Sequence, residues 1–156
     1  YLQSDIFISI VPCLFNLIQK EELQSYIFRF IGNISDDPEA AKICVPYLNK
    51  LFDMIEVDTK RVFIASKRII LTQEVISILN EEDIELIFKT FIDYLISEKY
   101  TTIVLEIFNA LSTSSIGKTV LNRNNLKSLI DNYFQTIPSF QLQYFLFQRI
   151  SSRLSK

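Results

Sequence analysis

The chain has 156 residues, of which 49% are hydrophobic and 22% are charged, so a packed core is expected and disorder is not. It contains only two glycines and four prolines, too few for the turns that a sheet protein needs about every 8–12 residues. The net charge of −2 comes from scattered acidic and basic groups and argues against a general attraction to nucleic acid. Together these properties predict an all-α fold.

The side-chain inventory excludes most kinds of catalytic and metal site. The chain has no histidine, which removes the commonest general base and the commonest metal ligand. Without histidine, Cys13 and Cys44 are too far apart in sequence to predict a structural zinc site. Gly32 and Gly117 are isolated and cannot form a phosphate-binding loop. We therefore predict that the protein is not an enzyme and binds neither a metal nor a cofactor.

The cysteines and the apolar segments indicate where the protein works. Cys13 and Cys44 lie in apolar runs and are predicted to be buried free thiols, which favours an intracellular compartment, cytoplasmic or nuclear. The least polar stretch, residues 6–18, is too short to span a bilayer, so no membrane attachment is predicted. Because residue 1 is a tyrosine and helical periodicity begins almost at once, we expect the chain to be a piece of a longer protein.

The first strong pattern in chain order is a repeated helix start. Residues 11–18 (VPCLFNLI) match residues 45–52 (VPYLNKLF) position by position. A proline at the first helical position is preorganised for a helix, so both segments are predicted to open helices at their prolines. Copies without proline lie near residues 83–88 and 124–130. The intervals of roughly 34–41 residues are typical of helical solenoid repeats.

A second helix is predicted to follow the first start, over residues 21–34. Its apolar side chains recur with the spacing i, i+3, i+4 and i+7, which predicts one buried stripe. Phe28 lies off this stripe, and we interpret it either as a contact with a neighbouring repeat or as an exposed anchor. The stripe consists of Leu23, Tyr26, Ile27, Phe30, Ile31 and Ile34.

Short helices are predicted between these longer ones. After a turn at residues 35–39, a short helix runs to Cys44 and leads into the second start. The same order returns later, with a helix over residues 98–111, a short helix ending near Leu121, and a new start that follows. A short, a medium and a long helix therefore form one predicted repeat.

Residues 10–34 read IVPCLFNLIQKEELQSYIFRFIGNI, a proline-started helix followed by a helix that ends in the signature FIGNI. This segment resembles the armadillo family. The resemblance implies an all-α, right-handed α-α superhelix of about three and a half to four armadillo-like repeats, forming a single domain over residues 1–156. No asparagine signature appears near Ile69, so a HEAT-type helical hairpin is the alternative for residues 57–80.

A basic stripe is the most suggestive polar feature. It consists of Lys60, Arg61, Lys67 and Arg68. These residues are seven apart in pairs, which places them on neighbouring lines of one predicted helix face. By the resemblance, this helix lines a concave groove together with helices of the units before and after it. Arginine and asparagine side chains in such a groove are suited to an extended or acidic peptide. The candidate partner-binding residues are Arg29, Asn33, Lys60, Arg61, Lys67, Arg68, Glu106 and Asn109.

The alternative interpretation of this stripe is a solvated helix face. Acidic side chains close by in the sequence would balance its charge, and the face would then have no ligand of its own. The acids are Asp53, Glu56 and Asp58.

A second candidate contact surface lies on the last predicted helix. Phe140, Tyr144 and Phe147 follow helical spacing and share one face. We expect this end face to pack on further chain or on a partner, and a second copy of this chain is one such partner.

These patterns predict a non-enzymatic scaffold or adaptor that binds another protein or an acidic peptide. Two alternatives stay open. One is a structural or regulatory segment of a larger assembly factor or kinase-associated protein, with no ligand of its own. The other is a nucleic-acid-binding helical repeat, which would need basic residues on several successive units, whereas here they concentrate on one.

Overall fold

In a computed structural model, residues 2–136 and 141–155 are described, together with the side chains of residues 5–133 and 143–155. Every regular element in these ranges is helical, which confirms the predicted all-α fold class. Short 3-10 turns at Val45–Tyr47 and Ile92–Tyr94 connect successive α-helices. The helices are α1 Leu2–Leu17, α2 Glu21–Ile34, α3 Pro38–Cys44, α4 Leu48–Phe52, α5 Thr59–Ile70, α6 Gln73–Ile78, α7 Glu81–Phe91, α8 Thr101–Leu111, α9 Ser115–Arg123, α10 Leu126–Thr136 and α11 Gln141–Leu154.

The chain divides into two compact units, Tyr1–Ile78 and Leu79–Lys156. In the first unit α1 packs on α2 and α3, α2 packs on α5, and α3 packs on α5 and α6. In the second unit α7 packs on α9, α8 packs on α11, and α10 packs on both α9 and α11. In each unit, therefore, the first helix contacts the third and the second contacts the fifth.

Buried apolar side chains form the core of each unit. In the second unit α8 alone buries five apolar residues completely, because its apolar positions cover most of its circumference. Thr101, at the start of α8, places its hydroxyl 3.3 Å from that of Tyr133, so a buried polar pair is satisfied inside this core. The five residues are Val104, Leu105, Ile107, Phe108 and Leu111.

The first predicted helix start is wrong, whereas the second lies two residues before the observed start of α4. Pro12 lies in the interior of α1, which begins ten residues earlier at Leu2. Val11, Phe15 and Ile18 are buried at spacings of four and three residues, so the buried face begins next to the proline, while the helix itself extends further toward its N-terminus. Pro46 lies in the 3-10 turn that leads directly into α4.

The predicted buried stripe of α2 is rotated from the observed one. Tyr26 is 70% exposed, whereas Phe28 is 1% exposed. The buried face contains Ile27, Phe28 and Ile31, because this is the side of α2 that meets α5. Phe28 is thus a core residue and not an exposed anchor.

The two cysteines differ in their surroundings. Cys13 lies on the outer side of α1 and is exposed, so the prediction that it is buried is wrong. Cys44 is buried at the end of α3. Burial raises the pKa of the Cys44 thiol from its ordinary value of 9.0 to about 12, and a hydrogen bond with Ser35 acts in the opposite direction.

Gly117 is required by a close backbone approach. It occupies the first turn of α9, where its amide donates to the Ser114 hydroxyl at 3.0 Å. A Cβ atom at this position would overlap the carbonyl oxygen of Leu111. The tight connection from α8 to α9 therefore depends on the missing side chain.

Gly117→Ala is expected to destabilise the chain by roughly 1–3 kcal/mol or more, because the added methyl group forces a backbone shift. Gly32→Ala is the matched control, since its Cβ would have no neighbour closer than 3.6 Å. In the control the stability should be unchanged or higher by up to about 1 kcal/mol, the helix-propensity gain over glycine. Urea denaturation of both variants measures this, and a Gly117→Ala variant as stable as wild type would contradict the assignment.

The two thiols are expected to react at very different rates. With a pKa of about 12, Cys44 has a thiolate fraction on the order of 10⁻⁴ at pH 8 and is also shielded from reagent, whereas Cys13 is accessible. Titration of the folded chain with a chromogenic disulfide should therefore release one equivalent quickly and the second only on addition of denaturant. Cys13→Ser should remove the fast phase. A fast phase that persists in this variant would show that Cys44 is accessible.

Candidate ligand-binding cleft

A cleft of about 480 Å³ lies between α2 and α5 in the first unit. Side chains from both helices form its walls, and the residue that precedes α5 closes one end. The cleft is lined by Phe28, Arg29, Gly32, Asn33, Asp58, Lys60, Arg61, Ile64 and Arg68.

Helix α2 contributes residues that share one face. Arg29 and Asn33 are four residues apart and project on the same side of the helix, where both are exposed. Gly32 lies between them and α5, and a Cβ placed on it would be 3.8 Å from the Cα of Ala65. The absent side chain therefore lets α2 approach α5 closely next to Arg29 and Asn33.

Helix α5 begins at a capping residue that also lines the cleft. The Asp58 carboxylate accepts the backbone N–H of Arg61 at 3.2 Å, so it caps the helix. Its other oxygen accepts the Arg61 guanidinium at 2.8 Å. One acidic side chain thus fixes both the start of α5 and the position of one cation.

The far end of the cleft is fixed by a hydrogen bond between the two helices. Arg68 donates from Nη1 to Oδ1 of Asn33 at 3.1 Å. Arg68 lies in the last turn of α5, where the helix dipole favours a cation. The Asn33 amide, with its oxygen occupied, has its N–H groups available as donors.

Two cations of the cleft are uncommitted, meaning that their side chains have no hydrogen-bond or ion-pair partner in the described part of the chain. Arg29 and Lys60 are exposed and make no ion pair or hydrogen bond with the part of the chain that the structure describes. The lining carries four cations and one carboxylate, a net charge of +3. The cleft therefore presents an excess of positive charge in a recess between two helices, which favours an anionic ligand.

The cleft brings together five of the eight predicted partner-binding residues, namely Arg29, Asn33, Lys60, Arg61 and Arg68. The sequence did not indicate that Phe28, Gly32 and Ile64 would line it, because these residues carry no polar signal. Asp58 appeared only among the acids of the alternative interpretation. Its position directly before the helical run that begins at Thr59 was the available sign of a helix cap.

The other three predicted residues do not line this cleft. Lys67 is half-buried beside it on α5. Glu106 and Asn109 lie on α8 in the second unit. Asn109 is engaged there, because its Oδ1 accepts Arg153 Nη1 at 2.6 Å and its carbonyl oxygen accepts the same group at 3.0 Å.

An asparagine–arginine hydrogen bond thus joins the second and fifth helices in each unit. In the first unit Asn33 of α2 holds Arg68 of α5, and in the second Asn109 of α8 holds Arg153 of α11.

The predicted end face is partly described. Phe140 lies outside the described residues. Tyr144 is exposed and Phe147 is half-buried, with their ring centroids 6.2 Å apart. On the neighbouring line of α11, the Arg149 guanidinium lies 4.4 Å from the centroid of the exposed Phe145 ring.

The residues that the structure describes include no helix both long and apolar enough to span a lipid bilayer. They also contain no cluster of three or more histidine, cysteine, aspartate or glutamate side chains with the spacing of metal ligands.

Comparisons of the chain with protein-family models, with curated proteins and with solved structures gave no match. The function proposed below therefore depends on the geometry and charge of the α2–α5 cleft.

Asp58→Ala is expected to lower the free energy of unfolding by about 1 kcal/mol, because α5 loses its cap. Asp58→Ser keeps a capping oxygen and loses only the ion pair with Arg61, which is worth roughly 0.2–1 kcal/mol at a partly exposed site. The serine variant should therefore be the more stable of the two in urea denaturation. Equal losses in both variants would show that the ion pair, and not the cap, fixes the start of α5.

Proposed function

We propose that this chain is a non-enzymatic, armadillo- or HEAT-like helical-repeat scaffold that binds an acidic segment of another protein in the α2–α5 cleft. The observation that carries the proposal is the convergence of Arg29, Lys60, Arg61 and Arg68 around one recess. Two of these cations, Arg29 and Lys60, are uncommitted in the described part of the chain.

The four cations divide into two pairs with different roles. Arg61 and Arg68 are held by Asp58 and Asn33, so their positions are set before a ligand arrives. Preorganised groups lose less conformational freedom on binding. Arg29 and Lys60 are the groups that would bind ligand carboxylates directly, through charge-assisted hydrogen bonds.

The strength of such contacts indicates the kind of ligand. An ion pair at an exposed site contributes roughly 0.2–1 kcal/mol, whereas micromolar binding requires about 8 kcal/mol. A single carboxylate is therefore insufficient, and an extended segment with several acids and an apolar side chain is needed. Ile64 lines the cleft, is partly exposed and offers apolar surface for that side chain.

Two features of the packing support the repeat part of the proposal. Both units place the second helix against the fifth and the first against the third. Both also connect the second and fifth helices by an asparagine–arginine hydrogen bond. Recurrence of the same internal contacts is expected when successive units of a solenoid share one plan.

Selection of peptides from a random display library on the immobilised chain tests the proposal. We expect enrichment of acidic peptides whose binding weakens as salt rises, because exposed charges are screened. The double variant Arg29→Glu, Lys60→Glu should lose these peptides, since it replaces the two uncommitted cations with anions.

A matched control variant makes the same change in net charge at residues outside the cleft. Lys20→Glu, Lys50→Glu alters two exposed lysines of the same unit that do not line the cleft, and it should retain the acidic peptides. Equal loss in both double variants would mean that net charge alone attracts the peptides. Enrichment of neutral or basic peptides would contradict the proposal.

A further inference from the structure

Hydrogen-bond donors outnumber acceptors in the α2–α5 cleft. Asp58 is the one carboxylate among the nine lining residues, and Arg61 occupies both of its oxygens. The side-chain oxygen of Asn33 is occupied by Arg68, which leaves the amide N–H groups as donors. The guanidinium of Arg29 and the ammonium of Lys60 add further donors without partners in the described residues.

This imbalance indicates which anion fits. A carboxylate supplies one negative charge and two oxygens, which leaves most of these donors and a charge of about +2 unmatched. A phosphate monoester supplies about −1.5 to −2 charges at pH 7 and three acceptor oxygens. It therefore matches the net charge of +3 and the set of donors more closely than a single acidic side chain does.

The position of Lys60 provides a second, independent argument. Lys60 lies in the first turn of α5, two residues after the capping Asp58. The positive end of the helix dipole makes this a poor position for a cation. Since no ion pair offsets this cost within the described chain, a bound anion is the group that would relieve it. Local rules of this kind are broken at functional sites.

We propose, as a deepening of the function inferred above and resting on it, that the cleft recognises a phosphorylated serine or threonine on a partner protein. Arg29, Lys60 and the Asn33 amide bind the phosphate, while Arg61 and Arg68 contribute fixed positive charge. The partly exposed Ile64 receives a neighbouring peptide side chain. The recessed, two-helix setting favours a peptide over a lipid surface, which requires basic groups along an outer helix face.

Fluorescence anisotropy with short degenerate peptides tests this assignment. Three libraries differ only at a fixed central residue, which is phosphoserine, glutamate or serine. We expect the phosphoserine library to bind about tenfold more tightly than the glutamate library, a difference of about 1.4 kcal/mol. The serine library should bind most weakly.

The pH dependence of the affinity gives a second test, because it depends on the ionisation of the phosphate in the ligand. The second pKa of the phosphate is about 6, so the phosphate loses one negative charge when the pH is lowered from about 7.5 to about 5.5. The affinity for the phosphoserine library should therefore decrease over this range. The glutamate library should change little, because its carboxylates have pKa values near 4.3. The chain has no histidine to titrate in this range, and the charged groups that line the cleft are Asp58, Arg29, Lys60, Arg61 and Arg68.

Variants assign the effect to the cleft. Lys60→Gln should lose the preference for phosphoserine and yet raise the urea midpoint of the free chain, because an unfavourable cation leaves the start of α5. Lys60→Arg should keep the preference, since it keeps the charge. Lys50→Gln, on an exposed lysine outside the cleft, should keep the preference for phosphoserine.

The possible outcomes separate this inference from the function on which it rests. Equal affinity for the phosphoserine and glutamate libraries would overturn the phosphate assignment and leave the acidic-segment proposal standing. Failure of both libraries to bind would overturn both. Binding to phosphatidylcholine vesicles that contain a phosphoinositide, without binding to the peptides, would replace the protein partner by a membrane. A preference for phosphoserine that survives Lys60→Gln would place the site elsewhere.

Discussion

The close approach of α2 and α5 determines the architecture of the candidate site. At Gly32 the two helices are near enough that an added methyl group would contact Ala65, and one residue later Asn33 accepts a hydrogen bond from Arg68. Phe28 and Ile31 of α2 are buried on the same side. The apolar face fixes the distance between the helices, and the hydrogen bond fixes one end of the space between them. The cations that border the cleft project from this rigid pair.

The cleft is positively charged because its four cations share a single carboxylate, that of Asp58. Asp58 neutralises one arginine while capping α5, and it leaves no acceptor for the remaining cations. The side chains of Arg29 and Lys60 make no hydrogen bond or ion pair within the described part of the chain. Lys60 moreover lies at the end of α5 where the helix dipole opposes it. A protein under selection for stability alone would place a different residue there, which is why we attribute Lys60 to ligand binding.

The sequence was sufficient to predict the class of fold and to name five of the nine residues that line the candidate cleft, because both depend on local patterns. Helical periodicity and the scarcity of glycine and proline indicated an all-α chain. The pairs of basic residues seven apart indicated one helix face. Orientation around each helix axis was harder to predict. The α2 stripe was misassigned by about one position, since Tyr26 and Phe28 are both aromatic and only the location of α5 decides which one is buried.

Contacts between residues distant in sequence were beyond such patterns. The hydrogen bond from Arg153 to Asn109 joins residues 44 apart and needs the packing of α8 on α11 before it can be seen. The requirement for glycine at position 117 likewise comes from the carbonyl of Leu111 in the preceding helix. The proline at position 12 was misleading because its signal for a helix start is local, whereas α1 begins at Leu2 and contains Pro12 in its interior.

The most direct test of the cleft as the ligand site is mapping of amide chemical-shift changes on addition of a selected acidic peptide. The structure predicts that the largest changes cluster at Arg29, Asn33 and Lys60 and disappear in the Arg29→Glu, Lys60→Glu variant. Changes clustered around Tyr144 on α11, or changes spread evenly over the basic residues of the chain, would contradict it.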